Sequence, residues 1–154
     1  MFISTNAIQN GSFDDKYGKR GQQFKGDMPT YSFGFKIEDI PTGTISFAFI
    51  LDDPDSVPVC GFTWTHWLGA NLCQEEIPDN ASIQATTFIQ GKNSWGENLY
   101  GGMAPPDKAH RYHLRVFALD CLLNLKKGFA LNDLKAALSG HILDSADIWG
   151  TYEA

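Results

Sequence analysis

Cysteine is scarce in this sequence of 154 residues, which contains only Cys60, Cys73 and Cys121. Three thiols cannot all pair within one chain, and their positions lack the short repeated spacing that is typical of a zinc site. We therefore expect reduced, mostly buried thiols, with no metal site and no bound cofactor. The chain is long enough to bury one core without disulfides, which predicts a single domain over residues 1–154.

Long apolar runs are absent, because nowhere do 18 apolar residues follow one another. The N-terminus Met-Phe-Ile-Ser-Thr-Asn also lacks the basic and apolar regions of a signal peptide. Together these absences predict a cytoplasmic protein that has no stable association with a membrane.

Positive charge is scarce as well, with 12 Lys and Arg against 18 Asp and Glu and a net charge of -6. This balance argues against a nucleic-acid surface. It is compatible with a local anion site built from imidazoles, hydroxyls and backbone N–H groups, because near contacts outweigh distant screened charges.

Aromatic residues are abundant, with 11 Phe, 5 Tyr and 4 Trp, and they favour strands. Alternating or strand-rich segments are flanked by Gly and Pro, as at the predicted turn Pro41–Gly43. The segment Gly11–Thr30 has no periodicity, and we interpret it as a loop. The predicted strands are Tyr31–Ile37, Thr44–Leu51, Phe62–Asn71, Ala85–Gly91 and His110–Asp120.

Helical signals occur only near the end of the chain. Asn132 can cap a helix over Asp133–Leu138, Gly140 can end it, and His141–Ile148 can form a second short helix. The sequence therefore predicts a mainly β fold, with a β-sandwich-like core followed by short C-terminal helices.

Polar side chains occur at the ends of three predicted apolar strand faces. Alternation places Asp53 on the face of Phe47, Phe49 and Leu51, and His66 on a face with Phe62, Trp64 and Leu68. His110 and Tyr112 share a face with Leu114, Val116 and Ala118. Polar groups on core-facing positions cost free energy unless they bond to one another or line a pocket. Convergence of these strand ends would relieve that cost.

Each of these residues also has a simpler interpretation when it is taken alone. Asp53 begins an Asp-Pro-Asp-Ser stretch that is typical of a turn. His66 and Tyr112 are each compatible with a core residue whose polar atom is hydrogen-bonded. The conjunction of these residues, together with the long Gly- and Pro-rich loop from Asn93 to Asp107, favours a functional site.

Seven short motifs follow one another along the chain. They are Asp53-Pro-Asp, Trp64-Thr-His-Trp67, Gly-Gly-Met-Ala-Pro-Pro, His110-Arg-Tyr112, Ala118-Leu-Asp120, Gly140-His-Ile-Leu143 and Gly150-Thr-Tyr152. In order and near spacing they resemble the phosphatidylethanolamine-binding protein family, and most closely its bacterial Raf-kinase-inhibitor-like branch. The similarity covers about Tyr31 to Tyr152.

The resemblance implies a central β-sandwich, a small anion pocket at one end and, in bacterial members, frequently a homodimer. The pocket residues that it implies here are Asp53, His66, Ala104, Pro105, Pro106, His110 and Tyr112. Two departures affect the shape of the pocket: Val57 is inserted before Pro58, and Ala104 replaces a frequent Gly. The C-terminal helix of eukaryotic members has no counterpart before Ala154, so we expect an open mouth.

These residues support three functional hypotheses. The first is binding of a phosphate, a phosphoryl headgroup or a carboxylate, with hydrogen bonds donated by His66, His110 and Tyr112. The second, by analogy with relatives, is regulation of a kinase or a protease through the pocket. The alternative is a hydrolase, in which Asp53, His66 and His110 hold a metal ion or activate water directly.

Overall fold

Strands make up most of the regular structure in the computed structural model, which describes residues 1–84 and 87–154. Helices are few and short. The strands are β1 (Phe2–Ser4), β2 (Ile8–Gln9), β3 (Ser12–Phe13), β4 (Phe24–Lys25), β5 (Met28–Pro29), β6 (Phe35–Glu38), β7 (Ser46–Asp53), β8 (Trp64–Leu72), β9 (Glu76–Ile77), β10 (Ile89–Gln90), β11 (His110–Leu119) and β12 (Ile142–Tyr152). The helices are α1 (Val57–Cys60), α2 (Ala81–Gln84) and α3 (Leu131–Leu138), with 3-10 turns at Asp15–Tyr17 and Pro54–Ser56.

A seven-stranded sheet with the order β10-β8-β7-β11-β12-β3-β2 forms the centre of the fold. A three-stranded sheet, β1-β6-β9, packs on one of its faces through an aromatic core that includes Phe35, Phe49 and Trp67. On the other face, Leu134 and Leu138 of α3 belong to a second buried cluster. The prediction of a mainly β, sandwich-like fold is confirmed.

Strand β7 shows why this sheet is buried so deeply. All eight of its residues are buried. Phe47, Phe49 and Leu51 belong to the aromatic core, whereas Ala48 and Ile50 belong to the cluster beneath α3. A strand that is covered on both faces has apolar residues at successive positions instead of a strict alternation. The polar residues Asp52 and Asp53 come only where this strand ends.

The predicted second C-terminal helix is wrong. Residues 142–152 form β12, which pairs with β11 from His110 opposite Tyr152 to Leu119 opposite Ile142. Burial alternates along β12, but its inward positions include Asp144, Ala146 and Gly150, so the apolar contrast is weak. Helix α3 was predicted correctly, although it begins after Ala130 and Asn132 lies inside it.

The other strand predictions hold with shifted boundaries. Residues 31–37 contain three of the four residues of β6, and residues 44–51 and 62–71 contain most of β7 and β8. The predicted strand over residues 85–91 contains β10, while Ala85 and Thr86 lie outside the described residues. The predicted loop over residues 11–30 includes the short strands β3, β4 and β5, which its composition did not indicate.

The three cysteines are free, as expected, but the prediction that they are mostly buried is wrong. Cys60 and Cys73 are exposed, because Cys60 lies in the exposed turn α1 and Cys73 follows the end of β8. Across residues 1–84 and 87–154, no helix has the length and the apolar character that crossing a membrane requires.

Candidate functional site

Three neighbouring strands bring the predicted residues together. Strand β7, which ends at Asp53, lies between β8 with His66 and β11 with His110 and Tyr112. All seven residues predicted for the site line one cavity of about 320 Å³. The lining consists of Asp27, Asp53, Ser56, Val59, Cys60, Trp64, His66, Trp95, Ala104, Pro105, Pro106, His110 and Tyr112.

His110 is held between two carboxylates. Its Nδ1 lies 2.6 Å from Asp53 Oδ2, and its Nε2 lies 2.7 Å from Asp107 Oδ1. Burial disfavours the charged imidazolium, since His110 is only 1% exposed. The two carboxylates outweigh that effect and raise the pKa of His110. His110 therefore donates from both ring nitrogens when it is protonated.

The two carboxylates that contact His110 differ in exposure. Asp53 is 4% exposed, and burial raises the pKa of its carboxyl against the opposing hydrogen bond from His110. Its Oδ1 atom is buried without a well-formed hydrogen bond to any described residue. The Asp107 side chain is 45% exposed, and the hydrogen bond from His110 lowers its pKa. Asp53 is thus the buried, inner partner of His110, and Asp107 is its exposed, outer partner.

The pKa of His66 is shifted in the opposite direction. Burial lowers the pKa of His66 to about 4, so the ring is neutral near pH 7. Its Nδ1 lies 2.6 Å from the carbonyl oxygen of Gly101. A carbonyl can only accept, so Nδ1 carries the proton and Nε2 keeps a lone pair. The prediction that His66 donates to a ligand is therefore wrong for the neutral ring. The ring meets the edges of Trp95 and Tyr112, with centroids 5.3 and 5.1 Å away.

A glycine is required where the loop meets β8. The backbone of Gly101 exchanges hydrogen bonds with His66, since its N–H donates to the His66 carbonyl over 2.9 Å. A Cβ atom on Gly101 would lie 2.4 Å from the ring of Trp95. Because the indole packs directly over this backbone, any larger residue would displace either Trp95 or the carbonyl that orients His66.

The turn after β7 shapes the mouth of the cavity. The Ser56 hydroxyl lies 2.7 Å from the carbonyl oxygens of both Asp53 and Phe62, and it accepts from the Trp64 N–H over 2.9 Å. Pro58, which follows the inserted Val57, is exposed, while Val59 and Cys60 line the cavity. The turn predicted for the Asp-Pro-Asp segment is thus present and contributes apolar lining.

One predicted strand face is wrong. His66 contacts Tyr112 on the side of the aromatic core, whereas Leu68 belongs to the cluster beneath α3. The pairing of β7 with β8 is irregular here, because Leu51 pairs with Trp67 and Asp52 with Thr65. This bulge interrupts the alternation that placed His66 and Leu68 on one face.

Trp64, Trp95 and Asp107 are among the contributors to the site that were not predicted as site residues. Trp64 was placed only on the face of His66, and its Nε1 atom is buried without a hydrogen-bond partner among the described residues. Trp95 lies within the long loop whose length indicated a function, but length identifies no residue. Asp107 contacts His110 because the chain turns between them. The only sequence signal for this contact was an Asp three residues before a His.

Comparisons with known proteins identify the family of this chain. The family model described as phosphatidylethanolamine-binding protein matches residues 3–153. The Bacillus subtilis (strain 168) protein YxkA is 40% identical over 149 residues, which cover 88% of this chain and 85% of YxkA. A UPF0098 protein of Chlamydia muridarum is 39% identical over 158 residues and 99% of both chains.

Solved structures of the same family superpose closely on this chain. A phosphatidylethanolamine-binding protein homologue of Chlamydia trachomatis has a TM-score of 0.86 at 30% identity, covering 99% of this chain and 97% of the homologue. E. coli YbcL, described as a member of the mammalian family, has a TM-score of 0.84 at 25% identity, with the same coverage. The chain therefore belongs to the phosphatidylethanolamine-binding protein family.

Proposed function

We propose that the cavity binds a small organic anion, either a phosphate monoester or a carboxylate, whose charged group contacts His110. The observation that carries this proposal is the contact between His110 Nε2 and Asp107, because the imidazole already holds a carboxylate oxygen at 2.7 Å. Asp107 is half-exposed, so an incoming anion can take its place without unfolding the site.

The ligand must offer hydrogen-bond donors as well as acceptors. Neutral His66 presents a lone pair on Nε2, and Asp53 presents an Oδ1 atom without a well-formed partner. Unsatisfied buried acceptors cost free energy, which a donor on the ligand would recover. A singly protonated phosphate monoester carries both kinds of group. The buried Trp64 Nε1–H is a candidate donor to its remaining oxygens.

The walls of the cavity favour an ester over inorganic phosphate. Val59, Trp64, Trp95, Pro105 and Pro106 supply apolar surface around the few polar groups. A volume of about 320 Å³ lies at the lower end of the range for small-molecule pockets, which are mostly apolar and contain few polar groups. We therefore expect phenyl phosphate to bind more tightly than inorganic phosphate.

The proposal is tested by NMR titration of the 15N-labelled protein with phenyl phosphate and with inorganic phosphate at fixed ionic strength. We expect shifts centred on His66 and His110, and about tenfold weaker phenyl phosphate binding in His110→Asn, because a charge-assisted hydrogen bond is lost. Binding should also weaken as the pH rises through the raised pKa of His110, because the imidazolium is then lost.

His113→Asn is the matched control. His113 lies on the same strand but on the opposite face, where it also contacts a carboxylate, Asp147, over 2.7 Å. Equal binding by the two Asn variants would overturn the proposal. Tyr112→Phe, which removes only a hydroxyl from the lining, provides a second test should His110→Asn fail to fold. Regulation of a kinase or a protease through this cavity stays a prediction, as does the homodimer.

A further inference from the structure

A second cluster of functional side chains lies far from the cavity. Asp120, Cys121 and His141 each offer one possible metal-ligand atom, and these three atoms lie within 4.8 Å of one another. Asp120 and Cys121 follow the end of β11, and His141 immediately precedes β12. His110 is at the other end of β11, so ten residues of strand, about 30 Å, separate this cluster from the cavity.

The backbone under the cluster is fixed on both sides. The Asp120 N–H donates to the His141 carbonyl over 3.1 Å, and the His141 N–H donates to the Leu138 carbonyl of α3 over 3.1 Å. The buried Ser46 hydroxyl donates to the Cys121 carbonyl over 2.6 Å. The three side chains therefore project from ordered strand and helix ends, which is the support that a metal site requires.

The side chains themselves are free to adjust. Asp120 Oδ1 and His141 Nδ1 lie 2.9 Å apart, and both side chains are 46% exposed. Metal–ligand distances of 2.0–2.3 Å in a tetrahedral site place neighbouring ligand atoms roughly 3.3–3.7 Å apart. Rotations that move the ligand atoms by about 1 Å would bring this cluster into that range, and solvent exposure leaves a fourth position for water.

The donor set selects the class of ion. One thiolate, one imidazole and one carboxylate are ligands that Zn²⁺ accepts together in tetrahedral geometry, whereas Mg²⁺ and Ca²⁺ prefer oxygen ligands. The net charge of -6 also favours the approach of a cation. We propose that Asp120, Cys121 and His141 bind one Zn²⁺ ion, with water as the fourth ligand.

Such an ion would close a loop in the chain. Residues 120 to 141 leave β11, pass through α3 and return to the start of β12. An ion that binds only the folded arrangement stabilises it by mass action, so Zn²⁺ should raise the melting temperature of the metal-free protein. This site is separate from the cavity, and the proposal does not depend on the function of the cavity.

The test uses the full chain, stripped of metal and kept reduced with a phosphine, so that no added thiol competes for the ion. Titration with Co²⁺ should give a near-ultraviolet thiolate-to-cobalt charge-transfer band that saturates at one ion per chain and disappears on addition of Zn²⁺. The band should be lost in Cys121→Ser. Zn²⁺ affinity, measured with a competing chelator dye, should fall at least about tenfold in His141→Asn and in Asp120→Asn.

Two variants control for nonspecific binding. Cys73→Ser removes another exposed thiol, and His113→Asn removes another imidazole that contacts a carboxylate. Both should keep the cobalt band and the Zn²⁺ affinity of the wild type. The proposal is overturned if the wild type shows no thiolate band, if the band survives in Cys121→Ser, or if either control loses it.

Discussion

The two walls of the cavity each present a buried imidazole, and the pKa values of the two imidazoles are shifted in opposite directions. His66 on β8 and His110 on β11 both have little solvent exposure, 3% and 1%. His66 bonds to a backbone carbonyl and has a pKa of about 4, whereas His110 bonds to two carboxylates and has a raised pKa. Burial lowers the pKa of both imidazoles, and only at His110 do neighbouring carboxylates outweigh it.

The two walls of the cavity therefore offer different hydrogen-bonding groups. The β8 wall combines aromatic rings with one neutral imidazole, whose free nitrogen can only accept. The β11 wall offers an imidazole with a raised pKa, whose inner nitrogen contacts Asp53 and whose outer nitrogen can donate. A ligand that satisfied both walls would need an anionic oxygen for His110 and a proton for His66.

Removal of Asp53, the inner carboxylate that contacts His110, should have the largest effect on the difference between the two imidazoles. Asp53→Ala leaves a buried imidazolium without its inner partner, and loss of one member of a buried ion pair costs about 3–5 kcal/mol. Urea unfolding near pH 6 measures this cost. Asp107→Ala removes the outer, exposed carboxylate from the same ring and should change the free energy of unfolding much less. Equal losses in the two variants would contradict the assignment of inner and outer partners.

Acid should reveal the neutral state of His66. The unfolded chain takes up a proton at this position below about pH 6.5, whereas the folded chain resists protonation until the pH approaches 4. The contribution of His66 to the free energy of unfolding is therefore constant above pH 6.5. It falls by about 3 kcal/mol as the pH drops to about 4.

The measurement compares urea unfolding of the wild type and of His66→Gln across that pH range. The variant has no imidazole at this position, so its stability should depend less steeply on pH. Parallel curves for the two proteins would show that His66 is not held neutral in the folded state.

Freeing the outer nitrogen of His110 should strengthen ligand binding. In Asp107→Ala the Nε2 donor is no longer occupied, so we expect phenyl phosphate to bind about fivefold more tightly, as expected from one hydrogen bond. Lys108→Ala, a change at the exposed neighbouring position, is the matched control for loop effects. Weaker binding in Asp107→Ala would mean that the charge of Asp107 supports the imidazolium more than it blocks the ligand.

The smallest effect is expected outside the cavity. His113→Asn, on the opposite face of β11, should alter the free energy of unfolding by no more than about 0.5 kcal/mol. Phenyl phosphate binding should be unchanged. A larger loss of stability would point to the stacking of His113 on Trp149, whose ring centroids are 3.8 Å apart, as a real contribution.

The sequence predicted the structure best where strand alternation was regular or where a family motif was present. Alternation along β11 placed Tyr112, Leu114, Val116 and Ala118 on one face, and these residues lie in the aromatic core. The family motifs identified all seven of the predicted residues that line the cavity. Strand alternation and the family motifs each involve residues that are close in the chain, so they can be recognised without the tertiary structure.

The errors have tertiary causes. Strand β12 alternates in burial with Asp144, Ala146 and Gly150 among its inward residues, and it is a strand because it pairs with β11 and β3, which are distant in sequence. The bulge near His66 depends on how β7 pairs with β8, which the sequence of one strand does not encode. The contact of Asp107 with His110 needs a turn of the loop, and the grouping of Asp120 with His141 needs the whole β11–β12 pairing.

The carboxylate of Asp107 competes for His110 Nε2 with any anion that enters the cavity. A group tethered three residues from His110 competes for Nε2 at an effective concentration in about the millimolar range. An anion whose only strong contact is with His110 must exceed that concentration before it displaces the tethered group. If the cavity binds anions as proposed, a ligand that also covers Trp64 and Trp95 would gain the additional affinity it needs, and the loop would discriminate against simple anions.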